Sequence, residues 1–162
     1  MTIEAPRIRK ATPRDVSDIL RLIRALARYE KLRSNAVVTA AKLRQTLFGR
    51  KPAAEALIAH AGKRTVGFAL FFPNYSTFLG RPGIYLEDLF VEPKWRGQGI
   101  GKALLAAVAR IAVTRKCERF EWAVLDWNTP SIEFYKSFGA RPMDDWTVFR
   151  ITGKRLRKLA AS

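Results

Sequence analysis

The spacing of apolar residues predicts two amphipathic helices in the first third of the chain. The first helix is indicated by apolar residues that recur at helical spacing: Val16, Ile19, Leu20, Ile23 and Leu26. Thr12-Pro13 supplies an N-cap and a proline suited to the first turn, and the helix is expected to end near Tyr29. Thr39 is suited to cap a second helix, which Gly49 is expected to terminate.

Shorter apolar runs, bounded by turn residues, predict strands. They lie at residues 6–12, 55–61, 65–72, 84–91, 120–126 and 146–152. A long helix from Ile100 and a short helix over 128–139 separate the later strands. Hairpins followed by a strand–helix–strand crossover indicate an α/β (α+β) fold with a mixed, largely antiparallel central sheet and helices on both faces. The short basic tail that follows is left without a predicted element.

Length and composition indicate one domain, residues 1–162, because the chain shows no repeat, linker or low-complexity segment. The apolar runs are shorter than a membrane span, and the first residues lack the apolar core of a signal peptide. A single cysteine, Cys117, excludes an internal disulfide framework. These features predict a cytoplasmic protein without a membrane partner.

Net charge is the outlying property of the composition. Thirty Lys and Arg against fourteen Asp and Glu give +16, which favours anionic ligands. Nucleic-acid binding is one class that fits, but the basic residues are dispersed and no recognised binding motif is present, so no specific nucleic-acid partner is expected. The only histidine, His60, falls at a strand end without a cysteine or carboxylate cluster, and no metal is expected.

The stretch RGQGIG, residues 96–101, stands directly before the long helix. It fails both the phosphate-binding pattern GxxxxGK[ST] and the dinucleotide pattern GxGxxG, but it fits Arg-x-x-Gly-x-Gly with Arg96, Gly99 and Gly101. Glycines at a helix N-terminus expose backbone N–H groups to an anion, and Lys94 and Lys102 add positive charge. A pyrophosphate fits such a loop; a tight turn without a ligand is the other interpretation.

The wider context is more specific than the loop. The segments YLEDLFVEPKWRGQGIGKALL and VLDWNTPSIEFYKSFGA, with ATPRDVSDILRLIRALARYE upstream, resemble the GNAT acetyltransferase superfamily, and among its members the spermidine/spermine (diamine) acetyltransferases. The resemblance covers most of the chain. It implies a GNAT-like fold, acetyl-CoA as donor with CoA as product, a small-molecule amine as acceptor, and a homodimer.

The resemblance also implies the residues that hold acetyl-CoA. They are Leu89, Phe90, Val91, Arg96, Gly97, Gln98, Gly99, Ile100, Gly101, Lys102, Asn128, Pro130, Ser131 and Tyr135. The backbone of 89–91 would run beside the pantetheine arm, and 97–102 would hold the pyrophosphate. Asn128 has a second interpretation from its position alone, as a helix cap or Asx turn.

Acetyl transfer to an amine requires a base for the amine and an acid for the leaving thiolate. Glu87 is the candidate base; in a regular strand it would share a face with Tyr85 and Leu89, although an exposed or arginine-paired carboxylate is an equal alternative from the residues alone. Tyr135 is the candidate acid, since a phenol has a pKa near that of a thiolate. Core packing is the other interpretation of Tyr135.

The acceptor is predicted from local acidity within a basic chain. Residues 83–93 contain three carboxylates and no Lys or Arg. The resemblance implies acceptor contacts at Tyr29, Glu30, Glu87 and Asp144. A polyamine or diamine is the first expectation, and a lysine-like amino acid such as thialysine is the alternative. A CoA-binding protein without catalytic activity is a further class, as is a basic nucleic-acid-binding protein.

Overall fold

A computed structural model describes residues 6–162, which divide into two compact units. The unit up to Ala123 contains β1 Arg7–Lys10, α1 Val16–Tyr29, α2 Ala40–Phe48, β2 Glu55–Ala61, β3 Arg64–Ser76, β4 Arg81–Val91, α3 Ile100–Thr114 and β5 Arg119–Trp122. The unit from Val124 onward contains α4 Thr129–Lys136 and α5 Gly153–Ala160.

Local hydrogen bonds mark the starts of the first two helices, but Thr12 is the N-cap of a 3-10 turn and not of α1, whose N-cap is Asp15. A 3-10 turn at Pro13–Asp15 precedes α1, and the Thr12 N–H donates to Asp15 Oδ2 at 2.7 Å. The Arg9 guanidinium donates to both carboxylate oxygens of Asp15, which holds the pKa of that carboxyl well below its usual range. At α2, Thr39 Oγ1 accepts from the Lys42 N–H at 3.2 Å.

The strands form one five-stranded sheet in the order β1-β2-β3-β4-β5. The first three pairs are antiparallel, and β4 pairs with β5 in parallel. A parallel pair needs a crossover connection, which α3 supplies between β4 and β5. The prediction of a mixed, largely antiparallel sheet is therefore confirmed.

Helices cover both faces of this sheet. On one face, α1 and α2 bury apolar residues against the strands, in a cluster that includes Ile19, Leu22, Leu47, Ile58, Phe68 and Phe90. On the opposite face α3 buries Leu104 and Val108. At Gly67 an added Cβ would lie 2.8 Å from the Phe90 carbonyl oxygen of the neighbouring strand and 3.4 Å from Leu104 Cδ1 of α3, so the close contact with the β4 backbone requires glycine there.

The pairing of β3 with β4 is interrupted at Glu87, and the sequence-based assignment of faces is wrong there. Leu70 pairs with Asp88 but Phe71 pairs with Leu86, so Glu87 is an extra residue in β4. Such a bulge reverses which side chains share a face. Leu86 therefore joins the face of Leu89 that α3 covers, whereas Tyr85 joins that of Asp88 and stacks on Phe72 at 5.3 Å between ring centroids.

The end of the chain differs from its prediction in three respects. β5 ends at Trp122 instead of continuing to 126, and residues 146–152 form no strand. The basic tail, predicted without structure, forms α5. The alternation in 146–152 is strand-like, but a strand also needs a hydrogen-bonded neighbour, and none of the described strands of this chain pairs with it.

Candidate functional site

The second half of β4 has one free edge. Residues 89–91 pair with 67–69 of β3 on one side. On the other side, β5 pairs only with 83–86, so within the described strands the edge from Glu87 to Val91 has no partner. Unpaired N–H and C=O groups along a strand edge are available to an extended ligand. The residues predicted to run beside the pantetheine arm lie on this edge.

The free edge leads into the glycine loop and the start of α3. Gly97 and Gly99 have φ of 73° and 77°, a left-handed conformation that favours glycine, and Gly99 is the N-cap of α3 without a side-chain capping bond. A Cβ placed on either glycine would meet nothing within 4 Å, so the backbone is open to a ligand. The first N–H groups of an α-helix lack intrahelical acceptors. The loop therefore fits a pyrophosphate, with Lys94 and Lys102 adjoining it in sequence.

Arg96 connects this loop to the end of α1. Its Nε donates to the Val91 carbonyl oxygen at 3.0 Å. Its guanidinium lies 4.4 Å from the centroid of the Tyr29 ring and 5.6 Å from that of Phe90. Two predicted groups of residues, the acetyl-CoA loop and the acceptor-contacting end of α1, thus meet at one side chain.

Three carboxyl groups lie in the same region: Glu30, which caps the C-terminus of α1, and Glu87 and Asp88 on β4. The pKa of Asp88 is raised to about 7. Burial is the largest cause, and the negative charges of Glu87 and Glu30 act in the same direction. Burial also raises the pKa of Glu30. Throughout residues 6–162, none of these three makes an ion pair.

Glu92, the third acid of the segment 83–93, has a different role. It accepts hydrogen bonds from Arg64 and pairs with Arg21, which also donates to the Thr65 carbonyl oxygen at 2.7 Å. Burial alone would raise the pKa of Glu92, but the two guanidinium groups lower it. Glu92 thus joins α1 to β3 and to the end of β4, so only part of the acidic segment carries unpaired charge.

In the second unit, the predicted residues lie on and around α4. Asn128 is buried and is the N-cap of α4, where its Oδ1 accepts from the Ser131 N–H at 3.4 Å, so its interpretation as a helix cap is confirmed. Pro130 lies in the first turn. Tyr135 is half-buried and its ring contacts Phe134 at 5.3 Å between centroids. Asp144 lies in an exposed loop after α4.

The sequence places Asp88 in the acidic segment 83–93 but predicts no site role for it. In a regular strand it lies on the opposite face from Glu87. In the structure the bulge interrupts this alternation at Glu87. Glu87 is exposed, and Asp88, which pairs with Leu70, is half-buried. The available signal was the adjacent pair of acids within an apolar strand, since two neighbouring acids leave at least one on the buried side.

Within the described part of the chain, no group of three or more His, Cys, Asp or Glu side chains could hold a metal ion. His60 lies half-buried near the end of β2, as predicted. None of the helices in residues 6–162 is long and apolar enough to cross a membrane.

Comparisons with known proteins agree with the geometry. Residues 20–140 match the acetyltransferase (GNAT) family. The chain is 41% identical over 164 residues to thialysine N-epsilon-acetyltransferase of Sus scrofa, covering 94% of this chain and 96% of that protein. It is 36% identical over 164 residues to spermidine/spermine N(1)-acetyltransferase-like protein 1 of Homo sapiens, covering 95% of this chain and 24% of that protein. The integron cassette protein VCH_CASS6 of V. cholerae superposes with a TM-score of 0.82 at 28% identity, covering 98% and 99% of the two chains.

Proposed function

The chain belongs to the acetyltransferase (GNAT) family and is an N-acetyltransferase that acts on an amine, and we propose that its acceptor is a small aminoalkyl compound with a terminal primary amine. Proteins of this family use acetyl-CoA as donor. The observation that carries the acceptor class is the group of three unpaired carboxyls, Glu30, Glu87 and Asp88, in a chain of net charge +16. Such a group attracts a compact cation.

The proposed chemistry assigns a separate role to each predicted site residue. When bound, acetyl-CoA supplies the activated acetyl group as a thioester. The free edge of β4 and the glycine loop hold it, and Glu87 removes a proton from the acceptor ammonium so that a neutral amine attacks. Asp88, with a pKa of about 7, can accept or release a proton at neutral pH. Tyr135 donates a proton to the departing thiolate sulfur.

Two acceptors of this class are supported by different relatives. A polyamine or diamine follows from the resemblance to the diamine acetyltransferases and from the human relative named above. A lysine-like amino acid such as thialysine is favoured by the Sus scrofa protein, because the match covers nearly all of both chains. Thialysine carries an α-carboxylate, which a polyamine lacks, so the two acceptors differ in charge.

The test is acetyl-CoA-dependent thiol release over a panel of amines: spermidine, spermine, putrescine, thialysine, lysine, ornithine and a basic peptide. We expect rapid turnover with one compact amine and little with the peptide. Preference for thialysine over spermidine would select the amino-acid acceptor. Release only with the peptide, or none above hydrolysis, would overturn the proposal.

The importance of Glu30 can be tested by charge removal. We expect Glu30→Gln to raise the KM for the amine about tenfold, because one favourable charge interaction with the ammonium is lost, with a smaller change in kcat. Steady-state kinetics with varied amine measure this. The matched control is Glu118→Gln, which removes the same charge from an exposed pair with Arg81. An equal change in both variants would show that only overall charge matters.

Arg96 is expected to act as a positioning residue for both substrates. Arg96→Lys removes the planar group over Tyr29 and the Nε hydrogen bond to Val91 while keeping the charge. We expect the KM values for acetyl-CoA and for the amine each to rise about tenfold. Arg110→Lys on the exposed side of α3 is the control. If only the KM for acetyl-CoA rose, Arg96 would position the donor and not the amine.

We extend the proposal to the organisation of the protein. Residues 1–162 constitute one N-acetyltransferase domain, supported by a family match that continues across the boundary between the two compact units. The protein acts as a homodimer in the cytoplasm. The resemblance to the diamine acetyltransferases supports the dimer, and the single cysteine is consistent with a reducing compartment.

A further inference from the structure

We propose that a cavity on the α3 face of the sheet is a second binding site, and that its ligand is an aliphatic chain with an anionic head, a carboxylate or a phosphate. The cavity measures about 470 Å³ and opens between β1, β2 and the C-terminal half of α3. Pockets that hold small molecules have volumes of this order. The site is additional to the one for acetyl transfer and does not depend on that reaction.

The cavity is separate from the residues assigned to the two substrates. β1 lies three strands away from β4 in the sheet, a distance of about 14 Å. On α3, the lining begins at Ala107, about two turns or 10 Å beyond the start of the helix at Ile100. None of the residues that line the cavity belongs to the candidate site described above.

The floor of the cavity is aliphatic because a strand pattern and a helix pattern meet there. Lys10 of β1 pairs with Leu57 of β2, and Ile8 lies two residues before Lys10, so all three side chains share one face. The α3 side of the lining is a single stripe at helical spacing: Ala107, Arg110, Ile111 and Thr114. The small side chain of Ala107 leaves space that a larger residue would fill.

Cations around this floor outnumber carboxylates. Arg115 donates to both oxygens of Glu55, at 2.6 and 2.9 Å, and Lys10 pairs with the same carboxylate at 3.3 Å. The hydrogen bonds from Arg115 hold the pKa of Glu55 below its ordinary value, so Glu55 stays ionised. Arg110 is exposed and has no ion pair among the described residues. Three cations therefore accompany one carboxylate.

Two neighbouring charges leave this excess in place. Arg9 also lines the cavity, but Asp15 neutralises it through two hydrogen bonds of 2.8 Å. The C-terminus of α3 contributes about half a negative charge, which is less than the excess of the cations. An anionic head is therefore favoured over a neutral or cationic one.

The lining also indicates what the head is attached to. It contains no aromatic side chain on which a nucleic-acid base could stack. Ile8, Leu57 and Ile111 offer aliphatic surface instead, and burial of each CH2 group of a ligand is favourable by about 0.8 kcal/mol. A chain of several CH2 groups therefore suits the floor, with its head at the arginines.

Isothermal titration calorimetry with decanoate and with decyl phosphate, each below its micelle concentration, tests the site. CoA is kept at saturation so that the glycine loop is occupied. We expect each anion to bind with one-to-one stoichiometry. Decyltrimethylammonium has the opposite charge and inorganic phosphate lacks the chain, so both should bind at least about tenfold more weakly. No saturable binding of either anion, or equal affinity for either control compound, would overturn the proposal.

Charge reversal locates the bound anion. Arg110→Glu should raise the dissociation constants of decanoate and decyl phosphate at least about tenfold, because a like charge then faces the head. The matched control is Arg24→Glu, which makes the same change at an exposed position of α1, on the other face of the sheet. It should leave both constants within about twofold of those of the unaltered chain. Equal weakening in the two variants would contradict a local site.

Removal of the single carboxylate should strengthen binding. Glu55→Gln releases Arg115 and Lys10 from their partner, and we expect the dissociation constants of both anions to fall about threefold to tenfold. A gain in affinity cannot result from misfolding. Unchanged or weaker binding in a folded Glu55→Gln variant, checked by circular dichroism, would contradict the proposed position of the head.

Filling the floor should prevent binding of the chain. Ala107→Phe is expected to raise both dissociation constants at least about tenfold, because the ring occupies the space of several CH2 groups. Val113→Phe places the same side chain at a position of α3 that is 76% exposed and outside the lining, and should have no effect. If decaglutamate bound to the cavity and neither decyl compound did, the cavity would belong to an acidic protein segment and the proposal would be wrong.

Discussion

Replacing Tyr135 with phenylalanine is expected to lower kcat by about 100- to 10,000-fold, the range typical of losing a general acid. The variant lacks only the phenolic oxygen, and the ring contact with Phe134 on α4 can remain. Acetyl-CoA binding should therefore persist. Steady-state kinetics give kcat, and calorimetric titration with CoA gives the dissociation constant of the product.

The control for this variant is Tyr75→Phe, which removes the same atom from an exposed tyrosine of β3. It should retain full turnover. If Tyr135→Phe kept its kcat, another group would have to protonate the leaving thiolate. If both turnover and CoA binding were lost, Tyr135 would be a binding residue rather than the acid, and the alternative of core packing would regain support.

The second large effect is the pH dependence of stability caused by Asp88. Its folded-state pKa of about 7 lies above the ordinary value of about 3.9 for the unfolded chain. The protonated carboxyl therefore stabilises the fold at low pH, and this contribution is lost as the pH rises through 7. Asp88→Asn stays neutral and should lack this loss.

We accordingly expect Asp88→Asn to be more stable at pH 8 than at pH 5, relative to the unaltered chain. Its free energy of unfolding, minus that of the unaltered chain, should be larger at pH 8 by about 3 kcal/mol. Urea unfolding at the two pH values measures the difference. Asp126→Asn, at an exposed position in the unit from Val124 onward, is the control and should show no such change. The same relative stability at both pH values would mean that Asp88 does not change protonation in the folded state over this range.

Both predictions concern residues that sequence and structure reveal to different degrees. Tyr135 was identified from its motif, because WNTPSIEFYKSFG is a contiguous segment whose chemistry is visible in the order of residues. Asp88 was not, because its environment depends on the register between β3 and β4. A bulge costs one unpaired residue and leaves no signature in a strand that is otherwise regular in composition.

Elements that local physics specifies could be predicted. The helices α1 to α4 follow from a spacing of apolar residues near 3.6 and from caps within a few positions, such as Thr39 and Asn128. The glycine loop also follows from sequence, since left-handed φ values at Gly97 and Gly99 require glycine whatever packs nearby. Each of these signals arises within about ten residues of the element it predicts.

Long-range contacts decided the rest. The sequence by itself determined the order of elements, the glycine loop at the start of α3, and the residues that identify the family. Only the tertiary structure ended β5 at Trp122, which frees the edge of β4, and placed Arg96 over Tyr29. It also left the predicted last strand unpaired, because a strand is stabilised by its neighbour, and neither the presence nor the register of that neighbour is encoded in the strand's own residues.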